Sequence, residues 1–554
     1  MAATQQETSV TDTVNSTKSC STDSDVVNPA LGKPSLTVQS AEEPIKLDIE
    51  HVPVEDDPRQ WGRVRKNTTL WLISGAAMIS GLAANIQNPA NAEIQRDLHA
   101  TSGEISWTLA AFIVIQGNFP LIWSAVSEIQ GRKPVYLIAT ILLAAGSTLV
   151  ATAQSIKLAI GMRALQAAGS SAAMSISAAT LADMYDSHER GSKMGIFYAA
   201  PLLGHPVLWG VLAQSFNWRA NFYFLVICST IILMAFLFLF KDTFRRERSL
   251  TYQGALRRRM RELEMDRQKS SSETTIAALG KETPEQKGEG NGQVTLPEVK
   301  DIEADGRAHI PAPAIAETKL SFTDVNPFPP LLQILRRKNN VAILASSALI
   351  FGFSYSISYT CAQTLAKSYD YDALKTGLVL LSFGIGAMTG SVFGGRWSDR
   401  ELARLKAESD GKWNPEMRIA STKLAMLWLP PSVLGYAWVC EKHVHVAAIC
   451  IMLFLSGFFS VWMYTSALAY IVDANTGRSC SAVATNSSFR GTLAFIAAEV
   501  AIPLQDAIGD GGLYTLWAGL LVIMELLILL VLRKGEKWRQ ESEEQENRRS
   551  AAIQ

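Results

Sequence analysis

Ser124–Pro134 reads SAVSEIQGRKP, a charged turn containing one glycine, set between two long apolar runs. Gly394-Gly395-Arg396-Trp397-Ser398-Asp399-Arg400 is a weaker copy in the second half of the chain. Each follows an apolar run directly and puts a serine and then a carboxylate at its end. A hinge that recurs in this way implies a chain built from two related halves.

Outward from these hinges, charge and apolarity are sharply segregated. Hydrophobic residues make up 48% of the 554 positions and charged residues only 18%. The charges crowd into the two ends and one central stretch. The rest is a series of apolar runs of about 20 residues, enough to cross the hydrocarbon core of a bilayer. Twelve spans are expected, at about 69–89, 105–126, 134–154, 157–181, 192–213, 219–240, 340–362, 374–396, 418–439, 444–471, 481–503 and 511–532. The expected organisation is a disordered tail (1–66), a six-helix bundle (67–240), a solvated linker (241–339), a second six-helix bundle (340–533) and a short tail (534–554). A short basic helix from about Leu256 to Lys269 is the alternative for part of the linker, lying on an anionic leaflet.

Several function classes are disfavoured. A formal net charge of zero gives no reason to expect a nucleic-acid partner. No GxxxxGK[ST] phosphate loop is present, so ATP-driven pumping is unsupported, and no cofactor is expected. Six scattered cysteines lack metal-ligand spacing, so neither a metal site nor disulfides are expected. No cluster of nucleophile, base or metal ligands lies within the spans, which argues against an enzyme. The polar N-terminus gives no sign of a cleavable signal peptide. Lys and Arg are richer in the loops on the side of the N-terminus, among them Arg132, Lys133, Arg190, Lys193, Arg478 and Arg533. Both termini are therefore expected in the cytosol, with a cell membrane as the location and a vacuolar membrane as the alternative.

The run from Trp123 to Tyr136, with Arg163-Ala164-Leu165-Gln166, Glu189-Arg190-Gly191 and Trp218-Arg219, resembles the major facilitator superfamily. The specific resemblance is to its fungal drug:proton antiporter branch with twelve spans, over about residues 66 to 540. It implies an all-α membrane protein of two pseudo-symmetric six-helix bundles. The chain departs from the pattern in carrying Glu128 where Asp is usual, and His205-Pro206-Val207-Leu208-Trp209-Gly210 where a Gly-Pro-x-x-Gly-Gly motif is expected.

In that fold Glu128, with Gly131 and Arg132, forms a conformational switch against the start of span 11, where Ser479 and Ser481 can cap a helix. Arg132 can pair locally with Glu128. Asp399 and Arg400 mirror this against the start of span 5, near Arg190 and Ser192. The expected substrate lining comprises Asn85, Asn88, Gln116, Arg163, Gln166, Tyr355, Tyr359, Gln363, Trp462, Tyr464, Asn486 and Arg490. Arg163, His205 and Glu499 are candidates for proton coupling. A lone arginine inside a span is costly and normally faces a cavity or a partner. Two such arginines with few acids point to an anionic cargo. The expected function is export of a small organic molecule, an organic acid or secondary metabolite before a drug, by alternating access. Protons and lipid are its other partners and a monomer its expected state. An uptake transporter, or a membrane nutrient sensor that does not transport, are the rival readings.

Overall fold

The computed structural model describes residues 54–87, 91–203, 217–250, most of 252–259, 327–371, 373–409 and 413–552, all within one compact unit, Asp48–Gln554. Among the described residues the secondary structure is entirely helical. The first half holds α1 (Arg63–Asn85), α2 (Asn91–Asp97), α3 (Ser102–Asn118), α4 (Pro120–Gln130), α5 (Arg132–Ala151), α6 (Ile156–Met184), α7 (Ser187–Ala199) and α8 (Trp218–Leu239). The second holds α9 (Phe328–Arg336), α10 (Lys338–Ser368), α11 (Ala373–Glu408), α12 (Glu416–Ile419), α13 (Lys423–Glu441), α14 (Val446–Ala474) and a helix at Ser479–Ala552. Gly509, at φ 73°, breaks the last helix, and its two segments, 479–508 and 510–552, are α15 and α16.

Every expected span has a helix at its place, span 5 only as far as the described residues reach. Among the described residues seven helical stretches are long and apolar enough to cross a membrane by length and composition alone, α3 with α4 and α15 with α16 each counting as one, and Arg132–Ala151, Trp218–Leu239 and Val446–Ala474 among the rest. Span 2 is divided into α3 and α4 because Pro120 has no amide proton to continue the hydrogen-bond ladder. The outward faces are apolar: Phe238 is 73% exposed, Leu427 65% and Leu526 59%. Such belts are stable against lipid and not against water. Inside, hydroxyls bond back to their own helix, as Thr140 does to the Tyr136 carbonyl and Ser147 to the Leu143 carbonyl (2.7 Å each). That satisfies polar atoms where no water reaches them.

Caps set the helix starts. Thr101 and Glu104 form a capping box on α3, with Thr101 N donating to Glu104 at 2.9 Å. Asp242, just past α8, accepts from the Arg132 and Lys133 amides (3.1 and 3.2 Å) and so caps α5 from a distance in sequence. Gly131 makes the turn before α5 at φ 101°, where a Cβ would collide with the Asp242 carboxylate. Odd-numbered spans begin, and even-numbered spans end, on the face that carries Arg63 and Glu546, called here the terminal face. The two halves meet at mid-depth where Gly117 of α3 lies against Gly491 of α15, backbone on backbone.

Candidate functional site

Two gates and one central cluster hold most of the charged groups described between the halves, and Ser488 of α15 also donates to Asn118 of α3 at 2.6 Å. The first gate is on the terminal face. Glu128, 1% exposed at the end of α4, accepts from the Ser481 amide (2.9 Å) and the Ser481 hydroxyl (2.8 Å) at the start of α15. A carboxylate there meets the positive end of the α15 dipole and two unsatisfied donors together. Behind it, Arg132 reaches Asp183 at 3.2 Å and donates to the Ser127 hydroxyl at 2.8 Å.

The second gate repeats this plan in the other half. Asp399 of α11 accepts from the Gly191 and Ser192 amides of α7, at 3.0 and 2.6 Å. Arg418 in α12 pairs with Asp399 at 3.0 Å and with Asp473, at the end of α14, at 2.7 Å. It thus stands to Asp399 and Asp473 as Arg132 stands to Glu128 and Asp183. Three further bonds cross between the halves here. Arg190 of α7 pairs with Asp473, both side chains 0% exposed, and Arg418 donates to the Ser187 carbonyl. Ser391 donates to the Gly195 carbonyl at 2.8 Å just above. The carboxylate met by Arg190 is thus Asp473, and the arginine on Asp399 is Arg418; Arg400 is exposed. Arg418 and Asp473 were missed because each is one charge at a helix end, 55 residues apart in sequence. Aligning the two halves span by span from the paired hinges would have exposed both.

The central cluster lies at mid-depth. Arg490 of α15 stacks on Phe351 (3.8 Å to the ring centroid) and Tyr464 (4.9 Å), and donates to the Tyr464 hydroxyl. Phe351 is 5.4 Å from Tyr355, Tyr355 is 6.5 Å from Tyr359, and Tyr198 of the first half meets Tyr464 edge-on at 5.4 Å. Asn486, one turn before Arg490, is fully buried with both amide atoms unpartnered, and Arg490 Nε is likewise unpartnered. Among the described residues Arg490 has no carboxylate partner.

Of the expected lining, Tyr355, Tyr359, Tyr464, Asn486 and Arg490 come together here. Arg163 lies just beyond, within electrostatic reach of Tyr359, as is Glu499, an exposed acid on α15. Arg163 is 1% exposed, bonded to Gln166 and to the Ala83 carbonyl (3.0 Å), with its guanidinium 4.2 Å from the Phe112 ring. Gln166 continues to Ser147 at 2.8 Å. Other residues lie apart from the cluster. Gln116 bonds Ser80 and Ser170 (3.3 and 3.2 Å) inside the first half. Asn85 donates to the Gly81 carbonyl of its own helix. Gln363 bonds Asp506 at 3.0 Å near the opposite face. Trp462 is turned away into a packing group with Phe393, Trp397 and Phe458. A stripe of aromatic residues cannot by itself say which of its members face a lumen. Asn88 and His205 lie outside the described residues.

The family model of the Major Facilitator Superfamily matches residues 73–429. The chain is 24% identical to the MFS antiporter QDR3 of Candida albicans, over 88% of this chain and 80% of that one. It is 26% identical to Citrate exporter 1 of Aspergillus niger, over 86% and 87%. Among solved structures, the human organic anion transporter MFSD10 superposes with a TM-score of 0.58 at 15% identity, covering 84% of this chain and 99% of that one. The proton:xylose symporter XylE superposes at 0.59 and 12% identity, covering 85% and 96%. With its all-helical fold, apolar spans and paired hinges, the chain belongs to the Major Facilitator Superfamily.

Proposed function

We propose that the protein is a secondary active exporter of a small organic anion, driven by proton exchange and working by alternating access. The observation that carries this reading is Arg490, a guanidinium at the junction of the halves with no carboxylate partner among the described residues. A buried, uncompensated cation is costly and is relieved by an incoming anion. Relatives named as an antiporter and as a citrate exporter support export over uptake. The terminal face, rich in Arg and Lys, is the cytosolic face, and the protein acts as a monomer in the cell membrane. With both gates bonded, the conformation is closed to the cytosol. Glu128 and Asp399 are the switch residues, and Glu499 is the acid that exchanges the proton.

The test is accumulation of a panel of metabolites and drugs in cells with and without the protein, at two external pH values. Lower accumulation of anions, dependent on pH, is expected. Higher accumulation would overturn export, and a fall confined to neutral or cationic compounds would overturn the anion assignment.

A further inference from the structure

The central cluster also speaks to the shape of the anion. Arg490 lies over the Phe351 and Tyr464 rings and gives one Nη to the Tyr464 hydroxyl, which leaves its Nε unpartnered for a planar acceptor. Asn486, one turn away on the same helix face, offers an unpartnered amide N–H to a second oxygen. One carboxylate satisfies both. What surrounds that position is aromatic: Phe351, Tyr355 and Tyr359 line α10 at intervals of four residues, and the two tyrosines are partly exposed. Tyr198 approaches from the other half, its ring edge-on to Tyr464 at 5.4 Å and its hydroxyl facing Tyr464 and Arg490.

A citrate-like polyanion would need further cationic donors. Arg163, within electrostatic reach of Tyr359, is held between Phe112 and Phe222 at 4.2 and 5.9 Å and is already bonded to Gln166 and the Ala83 carbonyl inside the first half, so it is assigned potential and not the contact. The Arg490 guanidinium with the Asn486 amide fits one carboxylate, and the rings around it fit a flat apolar body.

We propose that the cargo is an aryl monocarboxylate: its carboxylate sits on Arg490 and Asn486, and its ring lies against Tyr355 and Tyr359. This rests on the anion-exporter reading above. Aromatic stacking and a charge-assisted bidentate bond are the two terms that would hold it.

The experiment is exchange across liposomes containing the full-length protein, with 1-naphthoate, citrate and neutral 1-naphthalenemethanol as probes. Saturable 1-naphthoate exchange is expected, competed by other aryl carboxylates and not by citrate. Arg490→Lys, which keeps the charge and loses the planar fork, should raise the half-saturating concentration about tenfold. Phe351→Leu should raise it less, and thermal unfolding should be unchanged in both. Citrate exchange equal to or better than that of 1-naphthoate overturns the aryl assignment and leaves the anion reading standing. Equal exchange of 1-naphthalenemethanol, indifferent to Arg490→Lys, overturns both. Absence of 1-naphthoate exchange overturns the aryl assignment outright.

Discussion

The two gates share a plan and differ in what crosses between the halves. At the second, Asp473 is held between Arg190 of one half and Arg418 of the other, all with 0% exposed side chains. At the first, the corresponding arginine, Arg478, turns to Gln333 and Glu546 of its own half, each at 2.8 Å. Burial works to raise the Glu546 carboxyl, but Arg337 and Arg478 outweigh it and hold it below the usual carboxylate range. Across the first gate run the bonds of Glu128 to Ser481, a helix cap, and of the Leu250 amide to the Gly477 carbonyl at 2.9 Å. A cap is worth about 0.5–2 kcal/mol, whereas breaking a buried ion pair from one side costs about 3–5 kcal/mol. The halves are therefore fastened unequally, and opening should begin at the first gate.

The largest expected effect comes from removing the shared anion of the second gate. Asp473→Asn leaves two buried guanidiniums facing a neutral amide and should cost about 3–5 kcal/mol. Thermal unfolding of the purified protein reads it; a stability like that of the parent would mean that the buried pairs do not fasten this gate.

A native thiol separates the gates next. Cys480 is 0% exposed in the first gate. It should resist alkylation near neutral pH until the gate opens. Glu128→Gln should speed alkylation of Cys480 about tenfold, within the 1–3 kcal/mol range of a coupling between sites. Asp399→Asn should speed it less, because Asp473 still joins Arg190 to Arg418. Peptide mass spectrometry after timed labelling checks the order, and equal rates would erase the distinction between the gates. The smallest effect is Arg400→Ala. Its side chain is exposed, so both labelling and unfolding should match the parent, and a marked change in either would give Arg400 a role the geometry lacks.

What the sequence made legible follows the range of the interactions. Apolar runs announce spans because a bilayer imposes length and composition locally. Glu128 and Asp399 were readable as switch candidates because the hinge around them is written twice. The Arg418–Asp473–Arg190 chain was not, since its members meet only after three helices pack. Trp462 and Tyr464 show the other limit. Two residues apart on α14, they point to different sides, one into packing and the other onto Arg490. No local pattern distinguishes a lumen from a helix neighbour.

The contact of Gly117 with Gly491 sets the mechanical advantage of the first gate. Ser481 lies ten residues from Gly491 along α15, an arm of about 15 Å at 1.5 Å per residue. Turning the halves about that fulcrum by about 5° would move the Ser481 end by roughly 1.3 Å, enough to carry a bond of ordinary length out of range. Because the fulcrum is two bare backbones, there is no side chain to absorb the turn, and so small a tilt passes undiminished to the gate.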